Sequence, residues 1–77
     1  MISFTIAGTS YQAEEGMTWG EWIASSYNTD GYYDNGKNVF ESDGRSVVYN
    51  NSTVSIESII IANHAYLLGR QHTGGTN

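Results

Sequence analysis

Apolar and polar positions alternate from the start of the chain. Ile2, Phe4 and Ile6 are separated by Ser3 and Thr5, the period of two expected of a strand with one buried face. Gly8-Thr9-Ser10 supplies a turn and Tyr11-Gln12-Ala13-Glu14 resumes the alternation, so residues 2–14 are expected to form a β-hairpin. The period then lengthens. Trp19, Trp22, Ile23 and Tyr27 make one apolar stripe at helical spacing, while Gly20, Glu21, Ala24 and Ser25 lie on the other side. Thr18-Trp19-Gly20-Glu21 fits a capping box, and Met17 with Trp22 fits a hydrophobic staple. The spacing predicts a helix over 19–27, closed by Asn28-Thr29-Asp30-Gly31 and laid on a sheet by its two indoles.

From Asn28 to Asn38 the chain is rich in turn formers and carries the adjacent Tyr32 and Tyr33; this is the longest segment expected to be irregular. Val39-Phe40-Glu41 and Ser46-Val47-Val48-Tyr49 flank Ser42-Asp43-Gly44-Arg45, a strong hairpin signal. Asn50 to Thr53 is a polar break. Residues 56–62 and 65–68 are apolar and separated by Asn63-His64, which predicts a last hairpin. Within it, the run Ile59-Ile60-Ile61 reads as a central strand covered on both faces, or as one whose outer face meets a partner. The element order is therefore β-β-α-β-β-β, an α+β domain over residues 1–69 with one helix packed on one face of a mixed sheet. Residues 70–77, RQHTGGTN, are expected to be a flexible tail.

An initial hairpin, a helix crossing one face and later strands that finish the same sheet resemble the β-grasp arrangement of ubiquitin-like domains. That resemblance implies a first strand lying parallel to the last, with residues 2–6 beside residues 65–68. The segment YQAEEGMTWGEWIASSYNTDG, with SFTIAGTS before it and VVY and IIIANHAY after it, also resembles small uncharacterised proteins of bacteriophages and prophages. This second likeness implies a virion component or a small protein directed at the host. It supplies no functional residues.

Composition narrows the classes. The chain has 77 residues, which is room for one domain, and no cysteine, which removes disulfides and the usual zinc thiolates. Eight acidic residues against three basic ones give a net charge of -5, which disfavours nucleic acid and anionic lipid as partners. No segment reads as a signal peptide or membrane span, so the expected location is the host cytoplasm during infection, or the virion. Charged residues make up only 14% and aromatic ones 13%, the reverse of a disordered chain and closer to the make-up of recognition surfaces.

Candidate chemistry is sparse. Tyr32 and Tyr33 sit in a loop kept wet by Asp30 and Asp34, so at least one should be exposed, and the loop is the first choice for a protein contact. Trp19 and Trp22 are expected in the core, Trp19 being the one to remain partly exposed. Glu14 and Glu15 form, with Glu21, an acidic cluster around the helix start; the helix dipole alone explains it, although such a patch also resembles a run of nucleic-acid phosphates. Asp30, Asp34 and Asn35 fail the register of a calcium loop because Tyr32 takes a ligand position. His64 and His72 have no thiol partner, no G-x-S-x-G elbow is present, and neither phosphate-cradling glycine motif occurs. Gly74-Gly75 is followed by Thr76-Asn77, unlike a conjugation tail. No catalytic, cofactor or metal residue is expected. The leading expectation is a non-enzymatic protein-interaction module of a phage, virion-associated and able to self-associate. The alternative is an acidic inhibitor of a host defence protein such as a CRISPR nuclease.

Overall fold

The computed structural model describes residues 1–70. His72, Gly74-Gly75 and the expected tail beyond Arg70 lie outside the described residues. Strand β1 (Ile2–Ile6) pairs antiparallel with β2 (Thr9–Ala13), with Ile6 opposite Thr9 and Phe4 opposite Tyr11. Only Ala7 and Gly8 connect them, so Thr9 and Ser10 belong to the strand and not to the turn. Both connecting residues have positive φ, 51° at Ala7 and 86° at Gly8, the combination that lets a two-residue turn follow the twist of its strands.

Helix α1 (Trp19–Ile23) is a single turn and a half, not the longer helix that the stripe predicts. Its start is as expected: the Thr18 hydroxyl accepts from the Glu21 N–H at 3.2 Å and the Glu21 carboxylate accepts from the Thr18 N–H at 3.0 Å. Its early end has a local cause. The Ser25 hydroxyl donates to the Trp22 carbonyl at 2.6 Å and accepts from the Tyr27 N–H at 3.2 Å, so a side chain satisfies groups that the next helical turn would have used. Tyr27 therefore leaves the helical stripe.

The stretch from Asn28 to Asn38 holds a strand that the sequence reading missed. Strand β3 (Tyr33–Asn35) turns through Gly36-Lys37 into β4 (Asn38–Phe40), with Gly36 at φ 74°. The chain then passes the expected Asp43-Gly44 turn into β5 (Arg45–Tyr49), where Phe40 faces Ser46. Asn50 and Asn51, at φ 52° and 63°, carry it into the short β6 (Ser52–Thr53), which pairs back onto Val48 and Tyr49. The last strand, β7 (Ala65–Arg70), runs antiparallel to β5 and parallel to β1, with Thr5 beside Ala65 and Ile6 beside Tyr66. The described strands thus form one mixed sheet in the order β2-β1-β7-β5-β4-β3, with β6 beside β5. One short helix on a mixed sheet makes the fold α+β.

The expected last hairpin does not form. Residues 56–62 form no strand, because their backbone groups serve the helix instead: the Ser58 and Ile56 carbonyls accept from the Trp19 and Gly20 N–H groups, each at 2.9 Å. Ile60 N–H in turn donates to Met17 at 3.0 Å. Gly20 suits this crossing, since a Cβ there would lie 3.2 Å from the Ile56 carbonyl oxygen, a contact that the neighbour would have to yield to. Side chains still alternate along the segment, so that Ile60 is buried while Ile59 and Ile61 are exposed.

The core lies between the sheet and this helix-plus-segment layer. Phe4, Ile6, Tyr11 and Ala13 face it from the first hairpin, Val39, Val47 and Tyr66 from the later strands, and Trp19, Trp22 and Ile60 from above. Trp19 is fully buried, contrary to the expectation of partial exposure, because the 56–60 segment closes over the helix N-terminus beside it. Among the described residues no helix is long and apolar enough to cross a membrane.

Two substitutions check these local causes. Thr18→Ala removes the side-chain half of the capping box and should lower stability by about 1 kcal/mol in urea unfolding. Ala7→Asn relieves a left-handed alanine in favour of the preferred Asn-Gly turn and should raise stability by up to about 1 kcal/mol. A neutral or opposite result at either position would contradict the stated role.

Candidate functional site

The expected contact loop is reorganised by Asn28. Its amide nitrogen donates to the Ile23 carbonyl at 3.0 Å and to the Tyr32 carbonyl, and its amide oxygen accepts from the Tyr32 N–H at 2.9 Å. This clamp turns Tyr32 inward, where its ring lies 6.0 Å from Tyr11 and 5.9 Å from Trp22. Tyr33 points the other way and stays exposed on β3, with its ring 6.3 Å from that of Phe40. Asp34 is exposed beside it, while the Asp30 carboxylate accepts from the Tyr11 hydroxyl at 2.5 Å. Tyr32 and Tyr33 are therefore not one surface.

The acidic groups are dispersed in use. Glu14 accepts from the Tyr27 hydroxyl at 3.2 Å, Glu21 caps the helix, and Glu41 and Asp43 hold Arg45 at 2.7 Å and 3.1 Å. A backbone N–H from Arg45, followed by the guanidinium charge, holds the Asp43 carboxyl below its ordinary range. Glu15 is exposed next to Glu14. Among the described residues no three metal-ligating side chains come together.

What the sequence did not disclose is a cleft where the 52–61 stretch passes over the end of β5. It encloses about 320 Å³, at the small end of the range of ligand sites, and is lined by Trp19, Tyr49, Val54, Ser58 and Tyr66 with Ile59 and Ile61 at its rim. Ile59 is 58% and Ile61 42% exposed, a large apolar exposure for neighbouring positions of so small a protein. The Tyr49 ring, backed by His64 at 4.4 Å, forms a wall; Trp19 and Tyr66, in edge contact at 5.0 Å, form the base. His64 is thus a packing residue at the start of β7 as well as a neighbour of the Asn63 turn, whose φ is 61°.

Two polar atoms belong to this base. The Tyr66 hydroxyl accepts from the Ile61 N–H at 3.0 Å, which ties the rim to the sheet. The Trp19 Nε1–H, by contrast, is the buried side-chain donor that finds no partner among the described residues. Burial pushes the Tyr66 phenol above its ordinary value, and the Ile61 N–H and the Trp19 indole act against that shift. The companion indole differs: Trp22 Nε1 donates to the Gln12 carbonyl at 2.8 Å, on the outer edge of β2. A buried donor without a partner costs about 1–3 kcal/mol.

Two other depressions are shallower and of mixed lining. One of about 330 Å³ lies among Ser3, Phe4, Thr5, Ser10, Asn63 and His64, and another of about 260 Å³ lies between β2 and the Ser26–Thr29 loop. Neither contains a buried unpartnered donor among the described residues.

No family model, curated protein or solved structure matches this chain. The cleft must be interpreted from its own chemistry.

The buried phenols have a pH consequence. Burial, followed by the Asp30 hydrogen bond, raises Tyr11, and burial first of all raises Tyr32 and Tyr66. An unfolded tyrosine ionises near about pH 10. Because the folded values lie above that, the protonated phenols contribute stability that is intact below about pH 10 and is lost as pH climbs through the folded values. Urea midpoints should therefore be flat with respect to these phenols up to about pH 9 and fall above about pH 10, with the phenolate absorbance of these three tyrosines appearing together with unfolding. Full tyrosine ionisation near pH 10 with the fold intact would contradict the burial described.

Proposed function

We propose that the protein is a non-enzymatic protein-interaction module and that its principal docking site is the aromatic cleft. One observation carries the reading: Ile59 and Ile61 are exposed at the rim of a half-open cleft backed by aromatic rings, where a partner's apolar side chain can be partly desolvated. The β3 edge, with Tyr33 and Asp34 exposed, is a second and more polar contact surface.

The fold reading that goes with this is a β-grasp domain. It is supported by the central parallel pairing of β1 with β7 and by the placing of β2 and β5 outside them. The five-residue helix and the added β3–β4 hairpin are departures from that arrangement. The likeness of the GMTWGEW segment to phage and prophage proteins supports a phage origin, and with it a place as a small virion-associated subunit contacting another virion protein, a host protein or its own copies. Phosphate mimicry is the weaker reading, because Glu14, Glu21, Asp30, Glu41 and Asp43 are already hydrogen-bonded within the chain and do not form one free acidic face.

The test is selection of a random-peptide display library on the immobilised protein, beside the Ile59→Glu/Ile61→Glu double variant. The expected outcome is a set of apolar peptides retained by the wild type, lost by the variant and perturbing the amide resonances of residues 52–61. Failure to enrich any peptide, or enrichment of peptides that bind both proteins equally, would refute docking at this cleft. Both substitutions lie at exposed positions, so the variant should keep the wild-type fold.

A further inference from the structure

Asn35 and Gly36 lie where the edge strand β3 turns into β4, and together they hold the parts of an intramolecular acyl transfer. The Asn35 carboxamide is exposed and, unlike that of Asn28, has no hydrogen-bond partner among the described residues. Of the two turn residues only Gly36 has positive φ, 74°, which makes the turn type II′ and leaves the Gly36 N–H outside the Asn35–Asn38 pair. That N–H donates to no backbone carbonyl among the described residues. The space beside it is open, with no atom within 4 Å of where a Cβ on Gly36 would stand.

The same residue types elsewhere are engaged or crowded. At Asp43-Gly44 the carboxylate is paired with Arg45 and the Gly44 N–H donates to the Glu41 carbonyl at 3.0 Å. At Asp30-Gly31 the carboxylate accepts from the Tyr11 hydroxyl. Asn28 is clamped to Tyr32, and the Thr29 N–H after it donates to the Tyr27 carbonyl at 3.0 Å. Asn38, Asn50, Asn51 and Asn63 are each followed by a residue whose side chain crowds the backbone nitrogen, which a glycine does not.

We propose that Asn35 is a site of self-modification in the folded protein, at which the Gly36 nitrogen attacks the Asn35 side-chain carbonyl and ammonia leaves. The Gly36 nitrogen gives its proton to water, the new C–N bond closes a cyclic succinimide, and the departing amide nitrogen takes up a proton. Water then opens the ring. Cleavage at the side-chain carbonyl gives aspartate, and cleavage at the backbone carbonyl gives isoaspartate; the net change consumes water, releases ammonia and needs no oxidant or reductant. Either product adds a negative charge to the net -5 and places it beside Asp34 on the exposed β3 edge. The isoaspartate form also carries an extra main-chain methylene where Asn35 pairs with Asn38, and so loosens the hairpin. The more polar contact surface thus changes in charge and pairing as the molecule ages, and the conversion itself does not depend on the docking role.

The experiment is incubation of the full chain in heavy-oxygen water at mildly alkaline pH, followed by peptide mapping with mass spectrometry. Three samples are compared: the folded wild type, the wild type unfolded in guanidinium chloride, and the folded Asn35→Gln variant. Heavy oxygen should enter residue 35 before any other described asparagine, as a mixture of aspartate and isoaspartate. The folded chain should convert at no less than about a tenth of the unfolded rate, a barrier difference of at most about 1.4 kcal/mol. Asn35→Gln keeps an exposed carboxamide and the fold, and should stay unlabelled at this position because its ring closure is a larger one. The isoaspartate form, separated by anion exchange, should exchange the Asn38 N–H with deuterium faster than the fresh protein. Earlier conversion of another described asparagine in the folded chain, or a folded rate below that tenth, overturns the proposal; unchanged exchange at Asn38 overturns the loosened hairpin.

Discussion

The Phe4 ring is the point on which the packing turns. Four other rings, those of Tyr11, Trp19, Trp22 and Tyr66, lie within 6.0 Å of it, most of them edge-on. Such contacts add about 0.5–1.5 kcal/mol each beyond the area they bury. In a chain of this size there is little aliphatic core to compensate for losing them. Phe4 also ties the two halves together, because Tyr11 belongs to the first hairpin, the indoles to the helix and Tyr66 to the final strand. A helix of five residues has no independent stability. It persists because its two indoles are held in this cluster.

The second constraint is the accounting of the helix's first donors. The N–H groups of Trp19 and Gly20 go to Ser58 and Ile56, that of Glu21 to the Thr18 hydroxyl and that of Trp22 to the Thr18 carbonyl. All four are satisfied, two of them by a segment far away in sequence. This draws residues 56–60 across the helix start and leaves Ile59 and Ile61 facing outward at the cleft. The cleft is thus a by-product of how the helix is capped, and the glycine at position 20 spares that crossing a tight Cβ contact.

Features governed by neighbours in sequence were legible beforehand, and those governed by distant partners were not. The first hairpin, the capping box and the Asp43-Gly44 turn each depend on a few adjacent residues, and they occur as the residue pattern indicates, except that the first turn is made by Ala7-Gly8 and not by Gly8-Thr9-Ser10. The helix was overestimated because the apolar stripe continues to Tyr27, whereas a single serine hydroxyl at position 25 competes for the backbone. The Gly36-Lys37 turn was hidden in a stretch that is polar on both faces, where alternation carries no signal. The Ile59–Ile61 run has the composition of a strand, but its Ile60 N–H goes to Met17 and its Ile61 N–H to the Tyr66 hydroxyl, pairings which no local window reports. Trp19 is buried against Tyr66, and no local pattern marks Tyr49 or Tyr66, since the cleft exists only once residues 19, 49, 59 and 66 are brought together.

The side-by-side pairing of β1 with β7 also fixes an order of events during folding. The initial hairpin can close within microseconds of emerging, as hairpins do. Its exposed flank, however, offers the Thr5 and Ala7 N–H groups to His64 and Tyr66, which are made near the far end of the described chain. Until those residues arrive, an apolar strand with an open edge waits in the company of two unburied indoles. This places the high entropic barrier of a long loop closure at the centre of the sheet and makes the nascent chain, more than the finished one, the form most exposed to wrong pairings.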